Sequence, residues 1–183
     1  MPAYKTANPR KKITSTTLGQ YLKTCDLLEF KTWVKACMVL LWAYGIRIGE
    51  LRRLRKEDLT LSDGYLIIES IPLKNPSDPF RDLPLKTNTP HLTILIKYWL
   101  MLPAGSKILP HSENTLRRRL KKIDPELSPH VFRHWRGTRL GFATENPYKI
   151  MGWMGHSDIR TAVKYQHMSG ALADKLGREM EIK

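Results

Sequence analysis

Acidic residues are the first shortage. Only 17 Asp and Glu stand against 31 Lys and Arg in 183 residues, a formal net charge of +14. A field of that sign calls for an acidic partner, and a phosphate backbone is the expected polyanion. Charge alone does not separate an enzyme acting on nucleic acid from a passive binder. Cysteine is scarcer still: Cys25 and Cys37 are the only two, which excludes a disulfide framework. Both fall in segments patterned as helix interiors, where a thiol serves as a small apolar side chain and a reducing, cytoplasmic setting fits. Long apolar runs are also missing. The longest, Ala36 to Ile46, is closed by Lys35 and Arg47 and is about half of what a bilayer span requires. No apolar stretch follows Met1-Pro2-Ala3-Tyr4-Lys5, so neither a secretory signal nor a membrane span is expected.

What is present suffices for one core. Hydrophobic residues make up 42% of the chain, with five Trp and seven Tyr, so disorder is a poor description. Residues 1–13 form a basic arm ending in Arg10-Lys11-Lys12, and 14–183 read as one domain with a helical tail at 169–183. Thr14 or Ser15 caps a first helix carrying Leu18, Tyr21 and Leu22. A second runs from about Lys31 to Tyr44 and stops at Gly45. A third carries Ile48, Leu51 and Leu54 on one face. The period then becomes strand-like at Tyr65 to Ile71 and again at Phe80 to Leu85, which predicts a hairpin with a long turn from Asn75 to Pro79. Leu92 to Leu102 is helical, Ser112 caps a helix with Arg117-Arg118-Arg119 and Lys121-Lys122, and Ser128-Pro129 opens another. From Asn146 on the pattern is helical again, with Ser157 as a cap. The expected fold is mostly α with a small antiparallel β-sheet.

Four short motifs carry chemistry. His130 and Arg133, three apart, project from one helix face. Twenty-six residues after His130 comes Gly155-His156-Ser157. Beyond it, Tyr165 sits opposite a stripe of Ile159, Ala162 and Val163, either available for chemistry or covering a helix edge. Arg47 stands between two apolar residues at a helix break and needs an anion, which Glu50 or a phosphate could supply.

Gly45-Ile46-Arg47-Ile48-Gly49-Glu50-Leu51, His130-x-x-Arg133, Gly155-His156-Ser157 and Tyr165 together resemble the catalytic domain of the tyrosine recombinases, also called the phage integrase family, from about Thr16 to Tyr165. The resemblance implies an enzyme that cleaves and rejoins double-stranded DNA through a covalent 3′-phosphotyrosyl intermediate, without metal or nucleotide cofactor. It implies that Arg47 and Arg133 bind the non-bridging phosphate oxygens and that Tyr165 is the nucleophile. His130 would assist its deprotonation, and His156 would donate a hydrogen bond to the phosphate. The general acid of the family is a hairpin-turn lysine, which maps onto Lys74, with Lys86 in reserve because this turn is longer than usual. Basic residues from Arg52 to Lys56 and Arg117 to Lys122 are expected to follow the phosphates.

The resemblance leaves three alternatives: topoisomerase IB-like relaxation, a non-catalytic DNA-binding module of the same fold, and a metal site on His130 and His134. The last lacks the glutamate of a zinc-protease helix, since Val131 stands there. His91, His111 and His167 read as ordinary histidines. Family members usually carry a separate amino-terminal DNA-clamping domain, for which the residues before the resemblance are too few. Leu172, Leu176 and Met180 make a narrow apolar stripe, expected by the family's habit to dock on a second copy of the chain assembled on DNA, or else on its own domain.

Overall fold

The second helix organises the molecule. The computed structural model describes residues 12–72, 80–144 and 146–164. Within it α1 (Ser15–Leu27) is followed by α2 (Thr32–Tyr44), of whose 13 residues 11 are buried. A helix apolar on all sides belongs at the centre of a domain, and α2 lies against α1, α3 (Ile48–Arg53), α4 (Leu92–Met101) and α6 (Pro129–Ala143). It ends where Gly45 takes the left-handed conformation, φ 70° and ψ 23°, and donates its N–H to the Leu41 carbonyl at 3.0 Å. Its last side chain, Tyr44, donates to the Leu66 carbonyl at 2.7 Å. The Trp153 indole donates to the Tyr44 carbonyl at 2.9 Å. The break before Arg47 is thereby tied to both the sheet and α7 (Pro147–Met154).

The caps follow the sequence. Thr14 accepts from the Thr17 N–H at 3.1 Å, Ser112 from Thr115 at 3.2 Å and Ser128 from Val131 at 3.4 Å. Ser112 opens α5 (Glu113–Ile123), whose Leu116 and Leu120 are buried while its cations face outward. Asn146, with Pro147 behind it, opens α7. Ahead of the helical residues 159–164, however, the capping side chain is Asp158, which accepts from the Arg160 N–H at 2.9 Å. Ser157 does not take that place. Ile13, the last residue of the basic stretch, is fully buried, and its carbonyl accepts from the Trp42 indole at 2.6 Å.

The sheet has three antiparallel strands in the order β1 (Leu59–Ser62), β2 (Tyr65–Pro72) and β3 (Phe80–Lys86). β1 was not expected from the sequence, because four residues give too short an alternation. It pairs through Leu59 with Ile68 and Ser62 with Tyr65, around a tight turn at Asp63 and Gly64. Between β2 and β3 the register runs Tyr65 with Lys86 to Ile68 with Leu83. It resumes at Ile71 with Arg81, so two residues of β2 face one of β3. Such a bulge bends the hairpin. On β3, Arg81, Leu83 and Leu85 turn inward while Phe80, Asp82, Pro84 and Lys86 are exposed.

Both cysteines are free and buried, and burial pushes the Cys25 thiol up to about 12 and Cys37 higher still. They behave as core residues. Among the described residues no helix is long and apolar enough to cross a membrane.

Candidate phosphate-binding site

Arg47 occupies the N-cap position of α3, with extended backbone. Its neighbour one turn on, Glu50, is almost fully buried and folds back over it. The Glu50 carboxylate accepts the Arg47 backbone N–H at 2.6 Å and Nη1 at 3.0 Å. The other prong of Arg47, Nη2, donates to the Gly155 carbonyl at 2.8 Å. Of the two anions read for Arg47, Glu50 is the one the structure places against it. Glu50 holds one edge, and the half-exposed guanidinium still lines an open cavity.

Arg133 reaches the same place from α6. It is buried, and its Nη1 donates to the Gly45 carbonyl at 2.7 Å while Nη2 donates to that of Met154. The two arginines, from elements far apart in sequence, thus grip the break after α2 and the turn after α7. That turn is a second left-handed glycine, Gly155 at φ 62°, whose N–H caps α7. It delivers His156 beside the guanidiniums. Burial, then the charges of Arg133, Arg47, Arg81 and His134, push the His156 imidazole down to about 4, so it is neutral at pH 7 and can donate from one nitrogen only.

Arg47, Glu50, His130 and Arg133 line a cavity of about 470 Å³, together with Arg53 of α3 and Arg117 of α5. Four cationic side chains face one carboxylate there, and that carboxylate is already shared. The arrangement suits an anion with several oxygens. His130 and His134 lie 6.3 Å apart, ring to ring. Among the described residues, no third His, Cys, Asp or Glu joins them as a group able to hold a metal.

Arg47, His130, Arg133 and His156 come together. Lys74 and Tyr165 lie outside the described residues, as do the tail and His167. Lys86 sits at the far end of β3 from Phe80, paired with Tyr65 and on the face opposite Arg81. Of the basic run after α3, Arg55 donates to the Gly105 carbonyl at 2.6 Å, and the Lys56 ammonium caps the carbonyls that end α4, at Leu100 (3.4 Å) and Leu102. These two brace a loop, whereas Arg53 lines the cavity and Arg52 pairs with Glu113 of α5 at 3.6 Å. His91 packs edge-on to Trp42 and bonds Ser15, and His111 packs at a tilt of 51° against Trp33, 4.9 Å between ring centroids.

Sequence reasoning missed Arg81. Its signal was present, because it stands two and four residues before Leu83 and Leu85, on the inward side of the strand.

The model of the phage integrase family matches residues 11–171. The chain belongs to the phage integrase family. Among similar proteins is a tyrosine recombinase of Agathobacter rectalis, 30% identical over 153 residues, which cover 73% of this chain and 47% of that protein. Tyrosine recombinase XerD of Shewanella oneidensis is 27% identical over 158 residues, covering 79% and 52%. The chain spans about half the length of the curated relatives it matches.

The fold resembles that of XerH site-specific recombinase bound to a palindromic difH substrate in a post-cleavage complex. The TM-score is 0.68 at 20% identity, over 97% of this chain and 56% of that one. Lambda integrase, seen as a dimer on a core site, gives a TM-score of 0.59 at 20% identity over 88% and 49%. This phage integrase family member therefore has the fold of a tyrosine recombinase catalytic domain.

Proposed function

We propose that this chain is the catalytic domain of a site-specific DNA recombinase or integrase. It breaks and rejoins strands of double-stranded DNA through a 3′-phosphotyrosyl intermediate. The observation that carries this reading is the braced pair of arginines. Arg47 and Arg133 are each fixed on one edge by backbone carbonyls or Glu50 and face a common basic cavity. Preorganised donors of this kind stabilise the charge that builds on a five-coordinate phosphorus and need no reorganisation during reaction.

In the proposed reaction the Tyr165 oxygen attacks phosphorus, the bond from phosphorus to the 5′-oxygen breaks, and the protein holds the 3′-phosphate as an ester. The phenolic proton passes toward His130, and Lys74 protonates the departing 5′-oxygen. One phosphodiester replaces another, so a 5′-hydroxyl can reverse the step without ATP. The neutral state of His156 suits donation to a phosphate oxygen without another full charge in the cluster. The position of Lys86, on the outward face of β3, favours Lys74 as the acid.

Arg53, Arg117 and the exposed cations of α5 would contact neighbouring phosphates. DNA-bound XerH and the lambda integrase dimer support DNA as partner. A second copy would be engaged through Leu172, Leu176 and Met180. Truncation after Gly170 should then impair assembly on DNA and leave a folded monomer.

The test of the activity is incubation with nicked duplexes from the native genomic neighbourhood in EDTA, followed by denaturing electrophoresis. A DNA-dependent band of protein covalently joined to one strand is the expected result. Retarded DNA with no covalent band at any enzyme concentration would reduce the chain to a binding module.

A further inference from the structure

We propose that Arg81 is a positioning residue for Arg47, acting through the carboxylate of Glu50. The inference rests on the strand-cleaving function proposed above. Arg81 projects from β3 with a side chain only 7% exposed, against a Glu50 side chain that is 4% exposed. Its Nη2 donates to both carboxylate oxygens, at 3.3 and 3.2 Å. The same carboxylate receives Nη1 and the backbone N–H of Arg47. One buried anion is thus shared by two guanidiniums on different elements.

Two consequences follow from this sharing. Paired with Arg47 alone, Glu50 would neutralise the charge meant for phosphate. With Arg81 present the three side chains carry one net positive charge, and Arg47 keeps its pull on an anion. The carboxylate is also held from the side of the sheet, which fixes the edge of Arg47 that must not turn toward the cavity.

The local cost argues for such a use. Nε and Nη1 of Arg81 are buried with no hydrogen-bond partner among the described residues, an unfavourable state for a cation. Burial works against its charge, and Glu50 works to restore it. Leu83 and Leu85 continue the same face of β3, so an apolar side chain would suit the site if packing were the only requirement. A residue that breaks the local rule beside a reactive cluster points to function.

The experiment compares the full-length parent chain with Arg81→Met, Arg81→Lys, Glu50→Gln and the Arg81→Met/Glu50→Gln double variant. The readouts are thermal melting, affinity for a nicked duplex and single-turnover adduct formation. Each duplex is made with oxygen or with sulfur at the bridging 5′ position. Arg81→Met leaves Glu50 paired with Arg47 alone, so it should melt lower than the parent yet stay folded at the assay temperature, and it should bind DNA within a few-fold of the parent. It should form adduct about 10²-fold more slowly, the scale that a misaimed group costs. The loss should be equal on the sulfur substrate, because departure of a thiolate bypasses the acid but not the need for Arg47. The double variant should be no slower than Glu50→Gln, since both changes cut one path.

Parental cleavage by Arg81→Met, recovery on sulfur, or additive losses in the double variant would each overturn the inference. If Arg81→Met does not fold, Arg81→Lys decides. It offers Glu50 a single point contact, so cleavage several-fold below the parent supports the proposal and parental cleavage overturns it. A parent that forms no adduct overturns the function and this inference together. A parent that cleaves beside an equally active Arg81→Met overturns the inference alone.

Discussion

Gly45→Ala is the sharpest structural test of how the site is held. Gly45 sits at φ 70°, and a Cβ built there would lie 2.7 Å from both Cβ and Cγ of Arg136. Neither atom can readily swing away, because Arg136 is a partly buried residue of α6 whose guanidinium lies over the Trp153 ring at 4.8 Å. The left-handed backbone costs a non-glycine residue about 1–2 kcal/mol. Forcing a methyl into a filled site costs about 1–3 kcal/mol more. Together they predict about 2–5 kcal/mol, a fall in Tm of roughly 5–15 °C for a domain of this size. Gly64→Ala is the control: its φ is 77°, but nothing lies within 4 Å of the added carbon, so it should lose only the backbone part.

The assay is thermal and urea unfolding of both variants, with adduct formation measured at a temperature where both are folded. Gly45→Ala should also cleave more slowly than Gly64→Ala, because the Gly45 carbonyl holds Arg133. If the two variants melt within a degree or two of each other, the close approach of α6 to the α2 break is not as described.

Three further outcomes test the cluster. Arg47→Lys and Arg133→Lys should each lose cleavage by far more than binding, since an ammonium cannot reproduce a two-pronged contact braced on its other edge; near-parental rates in either would return that arginine to a structural role. His156, held near 4 in the folded chain against an ordinary 6.5, contributes its full stability above pH 6.5 and loses it as pH falls toward 4, because only the unfolded chain takes up the proton in that window. Discounted for its partial exposure, the effect is about 1–2 kcal/mol, and urea midpoints should fall more between pH 7.5 and 4.5 for the parent than for His156→Gln. Lys74→Ala should cleave ordinary DNA about 10²–10⁴-fold more slowly and recover with sulfur at the leaving position; selective rescue of Lys86→Ala instead would move the acid to Lys86.

The helices were legible because their punctuation is local. Gly45, Ser112 and Ser128-Pro129 act on their own neighbours, and the buried stripes repeat at helical spacing. β1 was not legible, because four residues become a strand only when β2 lies beside them. The motif arginines were legible as residue types at a family-like spacing. Of their bracing only Glu50 on Arg47 was legible, because it stands three residues away; the carbonyls that hold Nη2 of Arg47 and Nη1 of Arg133 come from 108 and 88 residues away. Arg81 shows the same limit from the other side. Its inward position could be read from alternation, but its partner Glu50 lies 31 residues earlier on another element. Arg55 and Lys56, read as phosphate contacts, brace a loop whose folding no local pattern announces.

In the proposed reaction this basic cluster serves a tyrosine nucleophile. The direct measurement is mass spectrometry of peptides from the trapped protein–DNA adduct, which locates the nucleotide remnant on one side chain. A phosphodiester on the Tyr165 oxygen, joined to a 3′ end, is expected, with no adduct from Tyr165→Phe although that variant still binds DNA. A remnant on any other residue, a 5′-linked remnant, or an adduct formed by Tyr165→Phe would contradict it.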